Sequence, residues 1–345
     1  MNQEGCSVAI VGVTGEVGRQ MLKVLERYPI PLSSLRLLAS SRSIGKKFCF
    51  REEELTVEEL KEDSFANVEL ALFSAGKEVS LKYVPLALDQ GAVVIDNTSA
   101  FRMDDNIPLV VPEVNAYILS KETKLIANPN CSTIQLVVAL KSLVNKYGVE
   151  SVNVSTYQAI SGAGAKALNE YEQELQDKVH IPAVLPTSSD QKFYHIAHNV
   201  IPQIDTFTES GYTKEELKMI NETRKILNDQ SLRMNATCVR VPVRYGHSIS
   251  TTVKLKEKIK NRNEILELFS QSSDINLYDS IQEQLYPMPA YLANQDDVYV
   301  GRIRKDLFED DMIHFWIVAD NLLKGAALNS VQIAYYLYQH GWLGD

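Results

Sequence analysis

Cysteine is scarce in this chain: four in 345 residues, Cys6, Cys49, Cys131 and Cys238, far apart in sequence. That excludes a disulfide framework or a zinc ribbon and reads most simply as thiols in a reducing compartment. There is no basic block, and the formal net charge is −9. Nucleic acid is therefore not expected as a partner, although a small anionic ligand needs only local positive charge. No stretch approaches the apolar length of a membrane span. No basic leader precedes the run Val8 to Val13, which is too short for a signal core. A cytoplasmic protein with no membrane partner is the expectation. Low-complexity tracts and internal repeats are also missing. What remains is a chain of ordinary hydrophobic content, with a core to build and length for about two domains.

The first half alternates strand and helix. Ser7 to Gly12 is a short apolar run suited to a buried parallel strand. It leads into Gly12-Val13-Thr14-Gly15-Glu16-Val17-Gly18 and then a helical stretch, Arg19 to Arg27. Strand, glycine-rich turn and helix form a dinucleotide fingerprint: glycines let the backbone approach a pyrophosphate, and the helix N-terminus attracts its charge. The spacing here is Gly-x-x-Gly-x-x-Gly. A second strand, Leu35 to Ala39, ends in Ser40-Ser41-Arg42-Ser43. NAD-specific folds place an acid near this point, roughly 20 residues after the glycines. Two serines (Ser40, Ser43) and Arg42 stand here instead, which suits a 2′-phosphate and hence NADP(H). Further strands are expected at Val68–Phe73, Ala92–Ile95, Pro108–Val111 and Lys124–Ala127, with a helix around Ser80–Asp89. The pattern predicts an α/β fold with a Rossmann-type doubly wound parallel sheet.

Asn128-Pro129-Asn130-Cys131-Ser132-Thr133 follows the last of these strands. Pro129 cannot continue an upstream helix and Asn130 is a plausible cap, so a helix running to about Tyr147 starts beside Cys131. Helix-start N–H groups favour a thiolate and could hold an oxyanion. The same residue also reads as a buried cysteine at a domain seam. Arg102, after the polar segment Asp96–Ser99, suits an anionic leaving group, and equally an ordinary ion pair.

Beyond this helix the pattern changes. Ser151–Gln158 alternates with period two and ends in the small residues Ser161, Gly162, Ala163 and Gly164. A helix is expected from Ala165 to Lys178, then an irregular stretch from Ile181 to Phe207. A capped helix follows at Tyr212–Leu227, with Thr213 and Glu216 as capping box and Glu215 and Lys218 on one face. Strands are expected at Cys238–Val243, Ser248–Lys256, Val298–Ile303 and Ile313–Ala319, with a helix at Asn263–Ser270. They imply a mostly antiparallel sheet in a second α+β domain. Gly246 could present His247 to a cleft. The stretch Asn321–His340 reads as a helix able to return to the first domain.

These motifs, with Val111-Pro112-Glu113-Val114-Asn115 and Asp320-Asn321-Leu322-Leu323-Lys324-Gly325-Ala326-Ala327, resemble the bacterial aspartate-β-semialdehyde dehydrogenases from Val8 to about Ala334. The resemblance implies an enzyme that reversibly converts L-aspartyl-4-phosphate to the semialdehyde with NADPH, toward lysine, threonine and methionine. It implies that Cys131 is the nucleophile, His247 the general acid/base and Gln158 the residue orienting the acyl group. By the same resemblance Arg240 partners the substrate α-carboxylate and Glu215 its ammonium. Arg102, Asn130 and Lys218 bind phosphate, and Ser161, Gly162 and Asn321 contact the cofactor. An NADP-binding domain over 1–127 plus 322–345, a catalytic and dimerisation domain over 128–321, and a homodimer or dimer of dimers are expected. No metal is expected. The rivals are an N-acetylglutamyl-phosphate reductase, whose substrate has no ammonium for Glu215, and a silent NADP-binding sensor, which would have no use for Cys131, Gln158 and His247 together.

Overall fold

The computed structural model describes residues 5–176 and 181–343. The chain divides into two compact units, 1–130 with 326–345, and 131–325. The first begins with β1 (Cys6–Val11), α1 (Glu16–Arg27), β2 (Leu32–Ala39), β3 (Lys47–Phe50) and β4 (Glu53–Glu59). It continues with β5 (Leu70–Phe73), α2 (Lys77–Asp89), β6 (Val93–Asp96), the single turn α3 (Pro112–Asn115) and β7 (Leu125–Ala127). The sheet order is β3-β4-β2-β1-β5-β6-β7. All pairs are parallel except the β3–β4 hairpin. Strand order reverses beside β1, the place where doubly wound sheets open a crevice at the carboxyl ends of their strands. β1 is apolar except for Ser7 and wholly buried, as a strand covered on both faces must be.

The second unit opens with α4 (Cys131–Tyr147), β8 (Val149–Gln158), α5 (Ala165–Leu175), α6 (Lys214–Ile226), β9 (Arg233–Arg240) and β10 (His247–Leu255). It closes with α7 (Arg262–Ser270), β11 (Ile275–Leu277), the short α8 (Pro289–Leu292), β12 (Val298–Lys305) and β13 (Met312–Ala319). Its sheet runs β11-β12-β13-β10-β8-β9. The three central pairs are antiparallel and the two outer pairs parallel, so the sheet is mixed. α4 packs on β8, β10, β12 and β13. The opposite face carries half-exposed Ser155, Thr252, His314 and Trp316 beside exposed Tyr157. The chain then returns to the first unit with α9 (Leu328–Gln339), which packs on α1, α3 and β6.

Several expectations need correction. Pro108–Val111 is not a strand: Pro108 has no N–H to donate and Pro112 opens α3, so only the bridge Leu109–Ala127 forms. The Cys238–Val243 strand lies earlier, as β9, because Pro242 cannot extend the ladder. The C-terminal helix starts with a π-helical turn at Leu323–Ala327. The helix expected to reach Lys178 is seen over Ala165–Leu175, and Asp177 and Lys178 lie outside the described residues. The β3–β4 hairpin was not legible, because its turn residues Arg51 and Glu52 take φ of +48° and +69° without the usual glycine or asparagine. Among the described residues no helix is long and apolar enough to cross a membrane.

Candidate active site

In the first unit, the turn after β1 shows which glycines the fold itself demands. Gly12 has φ +88°, and a Cβ there would lie 2.9 Å from Ala75. A Cβ at Gly18 would lie 2.2 Å from the Gly12 carbonyl oxygen. Gly15, the N-cap of α1, is different: its φ is −77° and its nearest clash is an ordinary 3.4 Å. Its bareness serves whatever approaches the helix N-terminus. A cavity of about 500 Å³ opens there, lined among others by Gly12, Thr14, Gly15, Ser40, Arg42 and Ala75. It lies at the ends of β1, β2 and β5, the switch point of the sheet. Exposed Arg42 makes no hydrogen bond or ion pair among the described residues. Of the other residues in this set, Glu16 pairs with Arg19, while Val17 and buried Gly18 belong to α1 and do not line the cavity. Ser43 is buried and closes the turn through its N–H to the Ser40 carbonyl (2.9 Å).

The same unit prepares the peptide leading to Cys131. Arg102 is buried and donates to the main-chain carbonyls of Asn128 and Asn97, both at 2.9 Å. The Asn128 amide donates to Asn97 Oδ1 at 2.6 Å and accepts from Asn329 of α9 at 2.7 Å. Asn329 also donates to the Val110 carbonyl (2.9 Å). Asn130 is buried directly after this network.

In the second unit Cys131 is the first residue of α4 and is half-buried. It is less buried than Cys6 and Cys238. Burial, then Glu69, pushes Cys6 up to about 12; burial, then Glu215, raises Cys238 as well. Gly325 packs on the nucleophile candidate: a Cβ there would lie 2.8 Å from Cys131 Cβ.

Three adjacent strands end at one rim. Gln158 and Arg240 are paired as the last residues of parallel β8 and β9, and His247 begins antiparallel β10, whose Ser248 pairs with Tyr157. All three side chains are buried. The Ala159 N–H donates to His247 Nδ1 at 2.9 Å, so in the neutral ring the proton sits on Nε2. Nε2 has no hydrogen-bond partner among the described residues. Burial, then the Arg240 charge, holds His247 well below its usual value of 6.5, so the ring is neutral at pH 7. Arg240 donates to the Ala159 carbonyl (2.7 Å), while its Nε is without a partner among the described residues. Burial lowers its pKa against the opposing pull of Glu215, Cys131 and Cys238. A buried cation with an idle donor is prepared for an anion. Gly162 makes room between these groups: a Cβ would lie 3.1 Å from Arg240 Nη1 and 3.3 Å from His247 Nε2.

α6 brings the remaining charges. Thr213 caps it, with Glu216 completing the capping box and accepting from the Cys238 N–H of β9 at 3.0 Å. The first turn is thereby pinned to the strand carrying Arg240. Glu215 is buried rather than solvent-facing, 3.4 Å from Gln158 Nε2 and 3.3 Å from Lys218 Nζ. Lys218 also pairs with Asp205 at 2.8 Å. Asn321 Oδ1 accepts from the Gly246 N–H (2.9 Å), and its Nδ2 donates to Ser161 Oγ (2.9 Å). It ties the turn before His247 to the loop after β8.

Residues 7–121 match the semialdehyde dehydrogenase NAD binding domain, and residues 140–324 the semialdehyde dehydrogenase dimerisation domain. The chain is 52% identical to the aspartate-semialdehyde dehydrogenase of Bacillus subtilis (strain 168), covering 96% of each. It is 48% identical to that of Aquifex aeolicus (strain VF5), covering 98% of this chain and 99% of the relative. The chain belongs to the aspartate-semialdehyde dehydrogenases. Among solved structures, aspartate semialdehyde dehydrogenase II from Vibrio cholerae complexed with ASA aligns with a TM-score of 0.90 at 44% identity, over 97% of this chain and 98% of that one.

For a semialdehyde dehydrogenase, the residues missed in sequence are mainly those that hold others. Gly325 stands inside a motif quoted for the family, yet its contact with Cys131 depends on the π-helical turn, which spacing does not announce. Asn329 looks like one more polar residue of a helix; only its complete burial marks it.

Proposed function

We propose that this chain catalyses the reversible reductive dephosphorylation of L-aspartyl-4-phosphate to L-aspartate-4-semialdehyde through a thioester on Cys131. The observation that carries this reading is the rim where idle donors, Arg240 Nε and His247 Nε2, are buried in the same unit as a helix-start thiol. Cys131 sulfur attacks the acyl carbon, the bond from that carbon to the phosphate oxygen breaks, and inorganic phosphate leaves. N–H groups at the start of α4 stabilise the oxyanion. Arg240 holds the substrate α-carboxylate and Glu215 its ammonium, with Gln158 beside them orienting the acyl group. Arg102, Asn130 and Lys218 receive the phosphate. Bound NADPH supplies the hydride. His247 Nε2–H donates a hydrogen bond to the alkoxide oxygen formed on reduction, and collapse of that alkoxide breaks the C–S bond, releasing the aldehyde and the Cys131 thiolate.

The first-unit cavity suits the cofactor: Gly15 admits a pyrophosphate, and Ser40 and Arg42 meet a 2′-phosphate, which favours NADP(H) over NAD. Ser161, Gly162 and Asn321 are assigned as further contacts to the cofactor. The activity belongs to a cytoplasmic pathway toward lysine by way of diaminopimelate, and toward threonine and methionine. The half-exposed face of the second sheet, opposite α4, is the surface a second copy covers in a homodimer or dimer of dimers. The test is NADPH absorbance on mixing the protein with aspartate semialdehyde, phosphate and NADP⁺. Growth that requires phosphate supports the reading. Cofactor binding without growth would turn it toward the acetylated-substrate reductase or the sensor.

A further inference from the structure

Gln135 is a buried polar group that the reaction described above does not use. It lies one turn after Cys131 on α4, within the run Ile134, Leu136, Val137, Val138, Ala139 and Leu140, all of them buried and apolar. Residues four apart share a helix face, and long side chains lie back over the preceding turn. The Gln135 carboxamide therefore lies over the turn that begins with Cys131. It is wholly buried, and its Nε2 donates to the main-chain carbonyl of His247 at 3.4 Å. Its Oε1 has no hydrogen-bond partner among the described residues. A methionine or leucine here would fill similar space without burying an idle acceptor, which costs stability. The useful half of the amide is thus its N–H.

The peptide that this N–H meets is held at other points too. The Gly246 N–H is taken by Asn321, at a φ of +87° that only glycine adopts easily, and the imidazole Nδ1 is taken by the Ala159 N–H. Gln135 supplies the one contact in this set that comes from the helix bearing the nucleophile. We infer that Gln135 is a positioning residue, which ties the Cys131 helix to the His247 peptide and so fixes the acid/base histidine relative to the thiol. The inference rests on the catalytic reading of Cys131 and His247 given above.

Gln135→Met removes the donor and the idle oxygen together at nearly constant volume. Its kcat, normalised to Cys131 titrated by iodoacetamide and read on the Cys131 peptide because Cys49 is exposed and would react too, is expected to fall about tenfold with both KM values nearly unchanged. Histidine ¹⁵N NMR gives a readout independent of turnover. Wild type should show His247 as a single Nε2–H tautomer, with the signals assigned through His247→Asn, and Gln135→Met should shift or broaden them. Gln135→Glu tests the donor itself: burial raises a carboxyl pKa, and only the protonated acid can donate to the His247 carbonyl. Its turnover relative to wild type should therefore recover as pH falls. Unchanged normalised kcat together with unchanged ¹⁵N signals in Gln135→Met would overturn the inference. If that variant does not fold, the Gln135→Glu profile decides, and no recovery at low pH overturns it. Failure of the catalytic reading would look different: wild type itself would show no phosphate-dependent turnover, while the ¹⁵N comparison would still report on the tie.

Discussion

At the scale of single residues, the site is defined by polar atoms left without partners where burial makes that expensive. His247 illustrates the consequence. Its folded pKa is depressed below the unfolded 6.5 by burial and by Arg240. Above 6.5 both states leave it neutral and nothing is lost. Below 6.5 the unfolded chain binds a proton that the native ring refuses, so stability falls as pH drops, by up to about 1.4 kcal/mol per pH unit for this one group. In His247→Asn, where the amide oxygen can still accept from Ala159, the urea midpoint should depend less steeply on pH between 6.5 and 5. An equal slope would show that the ring is not held neutral. Gly162 makes a second residue-scale prediction. A methyl group there meets Arg240 and His247 at 3.1 and 3.3 Å, so Gly162→Ala should lower kcat/KM by about tenfold or more. The melting temperature should move by only a few degrees. Full activity in the variant would mean that the two side chains have slack.

At the scale of elements, much was legible because local signals agreed with tertiary need. The glycine turn between β1 and α1, the Thr213–Glu216 capping box and the period-two alternation of β8 are each specified by neighbouring residues. What could not be read depended on distant ones. Residues Lys47 to Glu59 form a hairpin because β4 pairs with β2, overriding a polar sequence with no turn signal. The π-helical turn at Leu323–Ala327 places Gly325 on Cys131 in a way no periodicity reveals. The cap of α6 is where an element-scale change reaches the site. Thr213→Ala should destabilise the protein by about 1 kcal/mol. Because Glu215 lies in that first turn, it should also raise KM for aspartate semialdehyde more than KM for NADP⁺. A purely thermal effect, with both KM values unmoved, would separate the cap from the substrate site.

At the scale of the whole molecule, the chain assigns its tasks to two units. The first holds a parallel sheet whose switch-point cavity is lined by Gly15, Ser40 and Arg42. The second brings Gln158, Arg240 and His247 to one rim of a mixed sheet and carries Cys131 at the start of α4. On the proposed reading, the 2′-phosphate is met by Ser40 and Arg42 of the first unit. Arg42→Ala should raise KM for NADP⁺ by about tenfold, the loss of one charge-assisted contact, and leave KM for NAD⁺ nearly unchanged. Equal losses would remove Arg42 from the 2′-phosphate site. The sequence pattern foretold both folds, because each sheet's burial is written in its own strands. It could not foretell which donors stay idle, since that depends on what surrounds Arg240 and His247 after folding. The central claim is that the acyl group passes through Cys131. Intact-protein mass spectrometry after mixing with aspartate semialdehyde and NADP⁺, without phosphate, tests it most directly. The account predicts one equivalent of NADPH and an aspartyl adduct on the Cys131 peptide, discharged by added phosphate and lacking in Cys131→Ser. NADPH formed with no adduct, or formed equally by Cys131→Ser, would contradict it.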